Sequence, residues 1–95
     1  MSYKFTIIVP VYNEEDYLER VESELSKYLS IASVPTAVLF VNDGSSDASQ
    51  TMIEDICHRN KAFQFISFKE NRGLSAAIKA GFDNVDTELL GYIDS

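Results

Sequence analysis

Cysteine and histidine each occur once in this sequence, and glycine only four times in 95 residues. A single thiol, Cys57, permits no intrachain disulfide and no metal site built on cysteines. The few glycines form neither Gly-x-Gly-x-x-Gly nor the Gly-Lys-Ser/Thr end of a P-loop. Both common glycine-rich phosphate cradles are therefore excluded. Basic side chains are scarce as well: eight Lys and Arg stand against fifteen Asp and Glu, a net charge of −7. Nucleic acid needs a basic face to displace counterions, so the reading is of no nucleic-acid partner. The acidic surplus itself needs no partner, since a solvated acidic surface favours solubility. No apolar run approaches the ~20 residues of a membrane span. Met1-Ser2-Tyr3-Lys4 leads directly into a strand, and the expectation is a cytoplasmic protein.

What the sequence does contain is a regular alternation of two periodicities, with 45% hydrophobic and 24% charged residues. That balance suits one small globular domain with a modest core. Phe5-Thr6-Ile7-Ile8-Val9 is a β-branched apolar run ending at Pro10, which suits a buried strand. Asn13 can cap a helix whose first turn is Glu14-Glu15-Asp16, acidic as the positive end of its dipole prefers. Tyr17, Leu18, Val21, Leu25, Tyr28 and Leu29 then recur at helical spacing. A second strand, Ala37 to Val41, precedes the turn-rich Asn42-Asp43-Gly44-Ser45-Ser46-Asp47, where Ser46 or Asp47 can cap the next helix. That helix carries Met52, Ile53, Ile56 and Cys57 on one side, with His58 read as a surface residue. A third strand spans Phe63 to Phe68, and a third helix buries Leu74, Ala77, Ile78, Gly81 and Phe82. Glu88 to Ile93 reads as a fourth strand. Strand–helix alternation with strands apolar on both faces predicts an α/β fold, a Rossmann-like parallel sheet with helices on both faces.

In open sheets of this kind ligands bind beyond the carboxyl ends of the strands. Those ends read Pro10-Val11-Tyr12-Asn13-Glu14, Asn42-Asp43-Gly44, Glu70-Asn71-Arg72-Gly73 and Asp94-Ser95. Acids and amides dominate; Arg72 is the cation, with Lys69 close by. An edge of carboxylates can hold an anionic diphosphate only across a divalent cation, and Mg2+ or Mn2+ prefers such oxygen ligands. Carboxylates left over suit ribose hydroxyls and base N–H donors. The residues alone thus point to a metal-assisted nucleotide site.

Four segments, in order and spanning the whole chain, resemble family-2 glycosyltransferases of the GT-A type. They are Ile8-Val9-Pro10-Val11-Tyr12-Asn13-Glu14-Glu15, Val41-Asn42-Asp43-Gly44-Ser45-Ser46-Asp47, Asn71-Arg72-Gly73-Leu74-Ser75-Ala76-Ala77, and Gly91-Tyr92-Ile93-Asp94-Ser95. The likeness is nearest to the branch of dolichol-phosphate mannosyltransferase and other polyprenyl-phosphate sugar transferases. It implies a UDP-sugar or GDP-sugar donor, a polyprenyl phosphate or glycan as acceptor, inversion at the anomeric carbon, and Mg2+ or Mn2+ as cofactor. By resemblance, Pro10, Val11, Tyr12 and Glu14 line the base and ribose pocket, and Asp43 accepts the base N–H with Val41 beside it. Arg72 contacts base or diphosphate. Asp94 is the first acid of Asp-x-Asp, near ribose, diphosphate and metal, with Ser95 the intervening residue.

Two departures stand out. Asn42 occupies a position where many members carry aspartate, and the second acid of Asp-x-Asp would fall at position 96, beyond this sequence. No catalytic residue lies within residues 1–95. They read as the nucleotide-sugar-binding part of a larger catalytic domain, inactive alone and prone to self-association through exposed sheet surface. Blander readings compete: Asn13 and Asp47 as helix caps, Glu14 as a dipole complement, Tyr12 as a core-edge aromatic, Arg72 paired with Glu70, Asp94 as a surface acid. A non-catalytic nucleotide-binding module and a receiver-type signalling domain are the alternative functions. Asp43, read as an exposed loop acid, is expected to serve binding without supporting the fold.

Overall fold

The computed structural model describes residues 3–87 and 89–93. Its elements are β1 (Phe5–Val11), α1 (Leu18–Ile31), β2 (Thr36–Asp43), α2 (Ser49–Arg59), β3 (Phe63–Phe68), α3 (Leu74–Asp83) and β4 (Leu89–Tyr92). Every pairing is parallel, and the strand order is β3-β2-β1-β4. The two most apolar strands occupy the centre because only there are both faces and both edges covered. The expected Rossmann-like α/β sheet is thus what the chain forms.

Alternation along the strands divides the core in two. Ile7, Val9 and Val11 share one face with Val38, Phe40 and Phe63, under Leu18 and Leu25 of α1 and Ile53 and Ile56 of α2. Phe40 and Phe63 stack there with ring centroids 5.8 Å apart. Ile8, Leu39 and Val41 point the other way, against Ala77 of α3. A fully buried aliphatic or aromatic side chain contributes roughly 1.5–3 kcal/mol, so these contacts, more than helix propensity, hold helices of 10 to 14 residues in place. Gly81 lets α3 lie close, since a Cβ there would stand 2.6 Å from Ile8 Cγ2.

Several boundaries differ from the expected ones. β1 continues through Pro10 to Val11, pairing Pro10 with Val41. The missing Pro10 amide lies on the β4 side of the strand, the side on which Ile8 O accepts Ile93 N, so β1–β2 pairing loses no donor. β2 runs on to Asp43. The first helix begins at Leu18, not after Asn13. The Glu14 carbonyl accepts the amides of Tyr17 and Leu18 in a preceding turn, and Asn13 itself has φ 51°, far from the extended backbone of an N-cap.

Exposure departs from expectation too. β3 is an edge strand with only Phe63 fully covered. Leu74 and Phe82 of α3 are exposed, leaving Ala77 and Gly81 buried. Tyr17 and Tyr28 do not reach the core. They border, with Tyr92 and Ile93, an open apolar groove of about 840 Å3 between α1 and the β1–β4 side of the sheet. Glu88, Asp94 and Ser95 lie outside the described residues.

Candidate functional site

At the carboxyl edge the central strands frame a cleft of about 220 Å3, lined by Pro10, Val11, Tyr12, Glu14, Asp43, Asn71, Gly73 and Leu74. Four of the expected site residues on the first strand and loop thus meet Asp43 across one cavity. Tyr12 is 50% exposed at its rim, which removes the core-edge reading. Among the described residues no basic side chain lines this cleft, and the formal charges lining it are those of Glu14 and Asp43.

Asp43 is not an exposed loop acid. It ends β2 with 4% of its surface accessible. Its Oδ1 accepts the Arg72 amide at 2.6 Å, and its Oδ2 accepts the Gly73 amide and Asn71 Nδ2, both at 3.0 Å. Asn71 Nδ2 also reaches the Asp43 carbonyl at 3.2 Å. A buried carboxylate needs such donors to offset its lost hydration. The three donors hold the loop before α3 against the end of β2, so the acid shapes the cleft wall as well as charging it. Gly44 follows at φ +71°, where a Cβ would lie 2.3 Å from the Glu70 carbonyl carbon. Glycine is required there by both conformation and space.

Two other expected residues sit elsewhere. Val41 is fully buried on the α3 side of the sheet and forms core, not cleft wall. Arg72 places its guanidinium 4.5 Å from the centroid of the Phe68 ring, a cation–π contact in place of the Glu70 pairing. Asp94 and Ser95 fall outside the described residues, so their convergence on the cleft is an expectation only. Asn71, Gly73 and Leu74 were missed as lining residues. Their place in the Asn71–Ala77 segment was the available signal.

The β1–α1 and β2–α2 loops are stitched together by side chains of the serine-rich turn. Three successive amides cross over: Asn13 N donates to Ser45 Oγ at 2.9 Å, Glu14 N to Ser49 Oγ at 2.9 Å, and Glu15 N to Asp47 Oδ2 at 3.2 Å. In return Asn13 Oδ1 accepts the Ser46 amide at 2.8 Å, the Asp47 amide at 3.3 Å and Ser46 Oγ at 3.4 Å. Asp47 also accepts the Ser49 amide at 2.9 Å, so it does serve the start of α2. Burial raises its pKa, but hydrogen bonds from the Ser49 side chain and amide and the Glu15 amide outweigh this and hold the carboxyl below 3.8.

Asn42 uses both ends of its amide. Its Oδ1 accepts Ser45 N and Oγ, and its Nδ2 donates to Gln50 Oε1 at 2.6 Å. Ser67 Oγ donates to the same Gln50 oxygen at 2.7 Å, tying β3 to β2 through α2. An ionised aspartate at position 42 would have no proton to give Gln50 Oε1.

The model of "Glycosyl transferase family 2" matches residues 6–95. The chain belongs to that family. An uncharacterized glycosyltransferase of Synechocystis is 31% identical over 95 residues, covering all of this chain and 30% of that protein. The prophage bactoprenol glucosyl transferase homolog of Escherichia coli K12 is 29% identical over 91 residues, covering 96% of this chain and 30% of that one. The crystal structure of S. aureus TarS 1-349 in complex with UDP superposes with a TM-score of 0.74 at 28% identity, over 97% of this chain and 27% of that one. The chain thus spans about 30% of the length of these two relatives. Family membership confirms the GT-A reading of the sheet and removes the receiver-type alternative; the dolichol-phosphate branch is not singled out by these relatives.

Among the described residues no group of three or more His, Cys, Asp or Glu is placed to hold a metal. The Asp43 carboxylate is already engaged by three protein donors. No described helix is long and apolar enough to cross a membrane.

Proposed function

We propose that residues 1–95 form the nucleotide-sugar-binding part of a glycosyltransferase catalytic domain, taking a UDP-sugar or GDP-sugar as donor. One observation carries this reading: Pro10, Val11, Tyr12 and Glu14 face Asp43 across a single cleft at the carboxyl edge of a parallel sheet. The cleft's size suits a base and ribose, and its acceptor oxygens suit base N–H and ribose hydroxyls. Tyr12 offers an exposed ring on which a base can rest. The UDP in the TarS complex is the same class of ligand.

In the transfer itself, an acceptor oxygen forms a bond to the anomeric carbon while the bond to the diphosphate breaks, inverting that centre. The nucleoside diphosphate leaves with its electron pair, and the acceptor's proton passes to a base outside these residues. Mg2+ or Mn2+, held through Asp94 next to Ser95, would neutralise charge on the diphosphate when bound. Within this chain, Tyr12 and Glu14 orient the nucleoside, Asp43 fixes the Asn71–Gly73 wall, and Arg72 is within the loop that borders the diphosphate. The acceptor is a polyprenyl phosphate or a glycan. The bactoprenol glucosyl transferase relatives favour the lipid, at the cytoplasmic membrane surface. Residues 1–95 alone would bind donor without turnover, and the apolar groove would favour their self-association.

Calorimetric titration with UDP and with GDP, each with and without Mn2+, tests the reading. Binding of one of them is expected, weakened at least several-fold by Tyr12→Ala at unchanged melting temperature, since base–aromatic stacking contributes about 1–3 kcal/mol. A folded wild-type protein that binds neither nucleotide at millimolar concentration would overturn it.

A further inference from the structure

We propose that Asn13 is a positioning residue for the nucleotide cleft, a latch that sets Tyr12 and Glu14 by holding the β1–α1 loop against the β2–α2 loop. The inference rests on the nucleotide reading of that cleft and adds to it a residue that touches no ligand. Asn13 does not line the cavity, yet both of its neighbours do. It is the only non-glycine described with positive φ, at 51°, a conformation asparagine tolerates better than most residues. That conformation turns its side chain from the cleft toward the serine turn. There Oδ1 takes the amides of Ser46 and Asp47, while its own amide goes to Ser45 Oγ.

The latch is anchored at its far end. Ser49, whose Oγ receives the Glu14 amide, is 0% exposed at the start of α2. Ser45 is held in turn by Asn42 at the end of β2. The backbone of residues 13–15 is therefore referenced to the same strand that carries Asp43. Without Oδ1, two amides of the serine turn lose their acceptor and the loop carrying Tyr12 gains freedom that nucleotide binding must then remove.

Asn13→Gly and Asn13→Asp separate this role from simple stability. Glycine accepts φ 51° without strain but has no acceptor; aspartate keeps the acceptor and tolerates the conformation. In Asn13→Gly, hydrogen exchange at the Ser46 and Asp47 amides is expected to speed up. Affinity for UDP or GDP, whichever the wild type binds, should fall on the order of 10-fold, the worth of about one net hydrogen bond. Asn13→Asp should restore both to near wild type. Unchanged exchange in Asn13→Gly overturns the latch. Faster exchange with unchanged affinity overturns its positioning role while leaving the nucleotide reading intact. A wild type that binds neither nucleotide sinks that reading and the proposal with it.

Discussion

Asp43→Asn is the substitution for which sequence and structure give opposite expectations. Read as an exposed loop acid, Asp43 could lose its charge without cost to the fold. In the folded chain it is 4% exposed and accepts three donors, from Arg72 N, Gly73 N and Asn71 Nδ2. An asparagine has one oxygen for these three. Placed at Oδ2, that oxygen keeps Gly73 and Asn71 but turns its NH2 toward the Arg72 amide. Placed at Oδ1, it keeps Arg72 and opposes two donors. The first orientation is the less costly: one bond to a charged acceptor is lost, about 1.5–3 kcal/mol, and the other two weaken toward neutral strength. We therefore expect a loss of about 2–4 kcal/mol. At about 4–8 °C per kcal/mol for a domain of this size, the melting temperature should drop by roughly 10–30 °C. Thermal unfolding by circular dichroism, with urea titration as a second measure, checks this. A shift below about 3 °C, with nucleotide affinity reduced, would refute the reasoning and return Asp43 to a ligand-only role.

Other consequences can be measured in the same way. Gly44→Ala must adopt φ +71° and place Cβ 2.3 Å from backbone; about 2 kcal/mol or more of stability should be lost in urea, and a loss under 0.5 kcal/mol would contradict the packing. Burial pushes the Cys57 thiol from 9.0 up to about 11. The unfolded chain then loses its thiol proton first, so stability should fall between those pH values more steeply in wild type than in Cys57→Ser, and native alkylation at pH 8 should be slow. Asp47 is shifted the other way, below 3.8. Its stabilising effect is present above that value and lost as pH falls through the lowered one, so the gap between wild type and Asp47→Asn should close on acidification.

The order of strands and helices was legible because it is written in local periodicity, as in the β-branched run Phe5–Val9 and the helical spacing of Leu18, Val21 and Leu25. The convergence of Tyr12, Glu14 and Asp43 on one cleft was legible as well. In a parallel sheet every strand ends at the same edge, so Tyr12, Glu14 and Asp43 had to arrive on one side once the strands were recognised. What each polar residue does there was not legible. Asn13 looked like a helix cap and became a latch to residues 33 and 34 positions away; Asp43 looked like a free acid and became the acceptor for residues 28 to 30 positions on. Neighbouring sequence cannot specify such partners. A short polar side chain bonds to whichever donors the chain crossovers bring within about 3 Å, and only the packed sheet decides which those are.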